Sequence, residues 1–201
     1  MTQPDPRGDL LPYHRRLGRA LRDVLLARGV FTDDELRREI EQIDSPNPGN
    51  GARLVASAWV DPAFKRRLLE NPRAAAAELG IDTGPRPIRV VESTQAIHNV
   101  IVCTLCSCYP WAVLGLPPVW YKSAPYRSRA VADPRGVLKE FGVDLADEVE
   151  LKVWDSTAEL RYLVIPLRPA GTEGWSEERL ANIVTRDAMI GVAQLRLGQA
   201  K

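Results

Sequence analysis

Ile97-His98-Asn99-Val100-Ile101-Val102-Cys103-Thr104-Leu105-Cys106-Ser107-Cys108 carries a β-branched apolar run straight into three cysteines. The run predicts a strand over 97–102, and the cysteine segment predicts a tight loop at its end. These are the chain's 3 cysteines. A disulfide framework spreads its cysteines along a chain to staple distant loops, which this cluster does not do. It reads as a site.

Upstream, Ile88 to Val91 predicts a second strand. Before Pro85 the pattern is helical. Leu17, Leu21, Val24 and Leu25 recur at helical spacing between Leu10 and Arg28, with Gly29 as the stop, and Thr32 with Glu35 makes a capping box for a helix carrying Leu36, Ile40 and Ile43. Ser45-Pro46-Asn47-Pro48-Gly49-Asn50-Gly51 reads as a linker. Asp61-Pro62 and Asn71-Pro72 each pair a capping residue with proline at the first helical position, predicting two short helices that end near Gly80.

Downstream, Asp133-Pro134 starts a short helix to Phe141. Val149 to Trp154 and Leu160 to Leu167 predict a hairpin across Asp155-Ser156-Thr157, and Ser176 caps a last helix with Leu180, Ile183 and Val184. The expected class is α+β. A helical N-terminal arm, residues 1–84, precedes a layered α/β domain, residues 85–201, that carries the loop.

Lys plus Arg number 27 against 26 for Asp plus Glu in 201 residues, so no charge excess points to nucleic acid or an anionic membrane. Pro4, Asp5, Pro6 and Asp9 stand where a signal peptide needs an apolar run, and no stretch has the length of a membrane span. The expectation is a cytoplasmic protein.

Cys-x-x-Cys alone is shared by zinc sites and redox pairs. The third cysteine adds information, because a metal held by Cys106 and Cys108 sits against the amide nitrogens of Ser107 and Cys108. Three sulfurs with two amide nitrogens fill five octahedral positions and leave one open, which suits a trivalent low-spin ion and Lewis-acid catalysis. Zinc wants four tetrahedral side chains and finds His98 as the only nearby fourth. On spacing alone, buried small hydrophobes or a zinc-binding turn stand level with a catalytic centre.

The wider chain speaks to that choice. Val100 to Trp111, with Leu114-Gly115-Leu116-Pro117-Pro118, Trp120-Tyr121-Lys122-Ser123, Tyr126-Arg127-Ser128-Arg129, Trp154-Asp155, Glu159-Leu160-Arg161-Tyr162, Arg168 to Trp175 and Ala58 to Lys65, resembles the α subunit of nitrile hydratase over roughly residues 50 to 195. The resemblance implies a hydro-lyase that turns an organic nitrile into its amide and is active only with a β subunit, itself one chain or two. It implies a non-corrin cobalt(III) centre, with iron disfavoured because Thr104 follows the first cysteine. The metal ligands it implies are Cys103, Cys106, Ser107 and Cys108, with Cys106 oxidised to the sulfinic and Cys108 to the sulfenic acid.

By the same resemblance Cys108 is the catalytic residue, the nucleophile being its sulfenate oxygen or a metal-bound hydroxide. Thr104 and Trp111 line the substrate pocket, Asp155 and Arg161 support the loop, and Tyr126, Arg127 and Arg129 belong to the subunit interface. Arginines of the β subunit hold the oxidised sulfurs, and an activator or metallochaperone loads the cobalt. His98 reads as structural. Two departures stand out: Ala112 where many relatives have proline, and weak similarity over the first fifty residues. The alternatives are the cobalt subunit of a thiocyanate hydrolase and a non-catalytic metal-binding subunit.

Overall fold

The computed structural model describes residues 11–44 and 46–197, without the side chains of residues 11, 12 and 42–44. Leu10, Ser45 and the N-terminal residues that bear on the leader lie outside this range. The chain divides into two compact units, residues 1–45 and 46–201.

The first unit holds α1 (Leu11–Ala27) and α2 (Asp33–Asp44). Gly29 stops α1 at φ 66°, a left-handed conformation that costs glycine little. The capping box forms as read: Thr32 N donates to Glu35 Oε2 at 2.7 Å, and Glu35 N donates to Thr32 Oγ1 at 3.2 Å.

The second unit opens with α3 (Pro48–Val60), α4 (Pro62–Glu70) and α5 (Pro72–Glu78). All three start with an Asn-Pro or Asp-Pro pair whose carboxamide or carboxylate accepts a first-turn N–H, so α3 begins inside the expected linker. One of the glycines that suggested a linker, Gly51, serves packing instead. A Cβ on Gly51 would come within 3.0 Å of Val113 O and closer still to Met189 and Leu114.

Four strands follow, β1 (Ile88–Glu92), β2 (Ile97–Val102), β3 (Glu150–Asp155) and β4 (Arg161–Ile165). They form two parallel pairs, β1 with β4 and β2 with β3. The expected hairpin between β3 and β4 is therefore not made. Its two strands exist, and Thr157 N bonds Leu160 O at 2.9 Å across the turn, but each strand leaves to pair elsewhere. Tyr162 to Ile165 is continuously buried, as in a strand covered on both faces, where a half-exposed hairpin strand would alternate.

Between β2 and β3 lie α6 (Trp111–Leu114), a 3-10 turn (Val119–Lys122), α7 (Ala124–Ala132) and α8 (Pro134–Glu140), and α9 (Glu177–Ile183) and α10 (Arg186–Ile190) close the chain. α6, α7 and α10 were not read from the sequence. The last predicted helix ends at Ile183, with Val184 as its cap, and Thr185 opens α10. α4 and α5 pack on β1, α10 on β4, α8 on β3, and α3 on α6 and α9. One core runs from Leu54 and Leu68 through Val100 and Ile101 to Leu163 and Ile190. The division expected at residues 84 and 85 thus falls inside the second unit. No described helix is long and apolar enough to cross a membrane.

Candidate metal centre

β2 brings the cysteines to their place. Val100, Ile101 and Val102 are buried, and Cys103 continues into the core with no exposed surface. The chain then turns back on itself, Cys106 N donating to Cys103 Sγ at 3.3 Å. Sulfur separations are 3.5 Å between Cys103 and Cys106 and 3.1 Å between Cys106 and Cys108. All three sulfurs lie within 4.8 Å of one another, and Cys106 is the exposed one.

Neighbouring elements hold the loop by its backbone. Thr104 N and Oγ1 donate to the Asp155 carboxylate at 2.9 and 2.6 Å, and Ser156 N donates to Val102 O at 2.7 Å. The parallel register explains both contacts, because it sets Asp155 opposite Val102. Tyr126 OH, on α7, donates to Ile101 O at 2.6 Å, and Tyr121 OH, on the 3-10 turn, to Cys108 O at 2.9 Å. Arg127 Nη1 donates to Cys106 O at 3.3 Å.

The thiols differ in acidity. Hydrogen bonds from the Cys108 and Cys103 thiols, with the Ser107 and Cys108 amides, pull Cys106 down to about 7. Burial pushes Cys108 up to about 12, which the Arg161 charge partly opposes. Cys106 thus ionises before Cys108, whose proton a bound cation must expel. Burial raises Tyr121 and Tyr126 above the ordinary phenol range, so both remain neutral donors to the loop.

Of the residues singled out in the sequence, Cys103, Thr104, Cys106, Ser107 and Cys108 share this loop, and Asp155 binds it directly. Trp111 opens α6, 36 % exposed. Arg161 comes from β4; it makes no ion pair with Asp155, and its buried Nη1 has no hydrogen-bond partner. His98 is held by Gly191 O at 2.7 Å, and burial lowers its pKa. Among the described residues no histidine or carboxylate joins the three sulfurs, so a closed tetrahedral zinc set is not completed.

Tyr126 is buried in support of β2, Arg129 pairs with Glu140 at 2.7 Å, and Arg127, expected at the subunit interface, reaches the loop. Tyr121 and Ser156 were also missed. Their partners lie in elements that adjoin the loop only after folding. Leu105, within the loop, is 85 % exposed, and Leu116 (54 %) and Val119 (89 %), which follow α6, are exposed apolar side chains as well.

Comparison with known proteins follows the same lines. Residues 13–193 match the family model for nitrile hydratase, alpha chain. The high-molecular weight cobalt-containing nitrile hydratase subunit alpha of Rhodococcus rhodochrous is 53% identical over 178 residues, 87% of this chain and 88% of that one. The thiocyanate hydrolase subunit gamma of Thiobacillus thioparus is 39% identical over 203 residues, 95% of this chain and 84% of its own. A solved double mutant of the Fe-type nitrile hydratase from Comamonas testosteroni Ni1 superposes with a TM-score of 0.87 at 41% identity, covering 95% of this chain and 94% of that one. The cysteine loop lies inside every one of these long matches, and the chain belongs to the nitrile hydratase α chain family.

Proposed function

We propose that this chain is the metal-carrying subunit of an enzyme that hydrates an organic nitrile to its amide. The observation that carries the reading is the convergence of the Cys103, Cys106 and Cys108 sulfurs within 4.8 Å on one braced loop, Cys106 being the exposed one of the three. Cys103, Cys106 and Cys108 would hold a low-spin cobalt(III) ion together with the amide nitrogens of Ser107 and Cys108. The donor set suits it: three soft sulfurs, two adjacent amides, and no fourth side chain to close a zinc site. When bound, the ion supplies Lewis acidity toward the nitrile. Cobalt is also the metal in the name of the Rhodococcus relative.

The chain's own residues do the rest. Asp155, Tyr121, Tyr126 and Arg127 fix the loop backbone, so the donors are arranged before a ligand arrives. Cys106 and Cys108 carry the sulfinic and sulfenic oxygens, and Cys108 serves as nucleophile through its sulfenate. Arg127 and Arg161 bring two positive charges to the anionic loop, to which a β subunit adds its own arginines. Thr104 and Trp111 face the substrate. Leu105, Leu116 and Val119, exposed apolar side chains, are covered by the β subunit. Asp155 and Arg161 act as supports of the loop, and an activator protein loads the cobalt.

Thiocyanate hydrolysis is the second reading, favoured by the long match to the Thiobacillus γ subunit. Trp111, 36 % exposed at the start of α6, favours an uncharged organic substrate over that anion. The test is the natively co-purified complex from cobalt-supplemented cells, assayed with nitriles and thiocyanate. Metal analysis and peptide mass spectrometry over Cys103 to Cys108 accompany it. Amide formation, about one cobalt per chain and the mass of three added oxygen atoms are expected. Zinc with three unmodified thiols would overturn the reading, and turnover of thiocyanate alone would replace it with the second.

A further inference from the structure

Where β2 begins, at the end of the strand away from the cysteines, there is a cavity of about 320 Å³. It lies among the turn from β1 to β2, the end of β4 and the residues that follow α10. His98 lines it, and Cys103 stands about 16 Å further along the strand direction. Leu145, Val164, Pro166, Ala188 and Leu195 make its lining largely apolar, and Val164 and Ala188 are buried. A space of this size admits a small organic molecule, and apolar walls with a few polar groups are the common make-up of such sites.

The polar groups select what fits. His98 Nε2 is 2.7 Å from Gly191 O, and because a carbonyl only accepts, that nitrogen carries the ring proton. Nδ1 is left as an acceptor with no partner among the described residues. It is not one of the atoms that protein encloses without a hydrogen bond, so it opens to the cavity that His98 lines. Burial lowers the pKa of His98, which keeps the ring neutral and the Nδ1 lone pair free. No Asp or Glu lines the cavity to attract a cation. Arg168 lines it but is spent elsewhere, donating to Thr172 Oγ1 at 2.9 Å, to Trp59 O at 3.0 Å and to Thr172 O. Arg196 is exposed, where water and salt screen its charge. A carboxylate would therefore find no buried cation and would set its lone pairs against that of Nδ1. Gln95 and Gln194 supply carboxamides that both donate and accept. One wall is fixed in advance, since Gly191 holds φ 94° and a Cβ there would collide with the Asn99 carbonyl.

We propose that this cavity binds a small neutral primary carboxamide with an apolar side group. The amide N–H donates to His98 Nδ1, its carbonyl accepts from Gln95 or Gln194, and the apolar walls take the side group. Carboxamides are also the product class of the proposed hydration, so on that reading the cavity is a second, product-binding site apart from the metal centre. The binding itself does not depend on that reading.

The probe is para-bromobenzamide, with para-bromobenzoate as its charged counterpart, added to the full-length chain with any chain that stays bound to it. Titration calorimetry is combined with crystals soaked in the probe and recorded at the bromine edge. A bromine peak in the cavity is expected, with a binding heat in solution for the amide. Ala170 is exposed and lines the cavity, so Ala170→Phe fills space there without entering the core and should weaken binding about tenfold. His98→Leu removes the acceptor and keeps apolar bulk, and should weaken it about fivefold. Unchanged affinity in either variant, bromine at the cysteine loop alone, or the benzoate bound as tightly as the amide would overturn the proposal. So would a peak without a heat in solution, which is binding at crystal concentration only. Neither readout involves turnover, so a complex that fails to hydrate nitriles leaves this result standing, and absent amide binding leaves the nitrile reading standing.

Discussion

Asp155 shows how one side chain can order a loop from another element. It accepts from both the backbone and the hydroxyl of Thr104, 51 positions away in the chain. The contact is solvent-accessible, so Asp155→Ala should cost only about 1 kcal/mol of stability. Its larger effect is expected on the loop: chelator challenge of the loaded complex should strip metal from the variant faster than from the parent. Equal retention would show that Thr104 does not need this anchor. Cys103→Ser removes a buried sulfur donor, and metal analysis should find cobalt content reduced several-fold. His98 gives a pH prediction. Burial holds its pKa below the ordinary 6.5, so the unfolded chain binds the proton first. Stability is therefore complete above about 6.5 and falls as pH drops toward the lowered folded value. Urea midpoints between pH 8 and pH 5 should show this slope, flattened in His98→Gln.

At the scale of elements, closely approaching backbones set the tolerances. Gly191 ends α10 at φ 94°, and a Cβ there would collide with the Asn99 carbonyl of β2. Gly191→Ala combines left-handed strain with a backbone clash and should lose about 3 kcal/mol, read as a drop in melting temperature by calorimetry. A loss below about 0.5 kcal/mol would place β2 and α10 farther apart than the structure has them. Element starts were the legible part of the sequence. Thr32, Asp61, Asn71, Asp133 and Ser176 all accept first-turn N–H groups as their residue types suggest. Asn47-Pro48 carried the same signal, masked by the glycines after it. α7 was overlooked although Ser123 caps it and Pro125 sits in its first turn, and with it went Arg127 and its reach to Cys106 O.

For the whole molecule, the exposed apolar side chains of Leu105, Leu116 and Val119 bear on the proposed β subunit. Val119 is 89 % exposed, so Val119→Asp leaves the fold of this chain intact while placing a charge where a β subunit would dock. Co-purification followed by size-exclusion chromatography should show a weakened complex and an unchanged melting profile for the isolated chain. An undiminished complex would move the interface elsewhere. The sequence by itself determined the local features: capped helix starts, four apolar strands, and three sulfurs spaced along one short loop. Each rests on residues within a turn or so of one another, where side-chain type and spacing act directly. Only the tertiary structure decided that β2 pairs with β3 and β1 with β4, which sets Asp155 opposite Val102, and that Tyr121 and Arg127 reach the loop backbone. Parallel pairing joins segments far apart in the chain through backbone groups that all residues share, so no local pattern records the choice of partner.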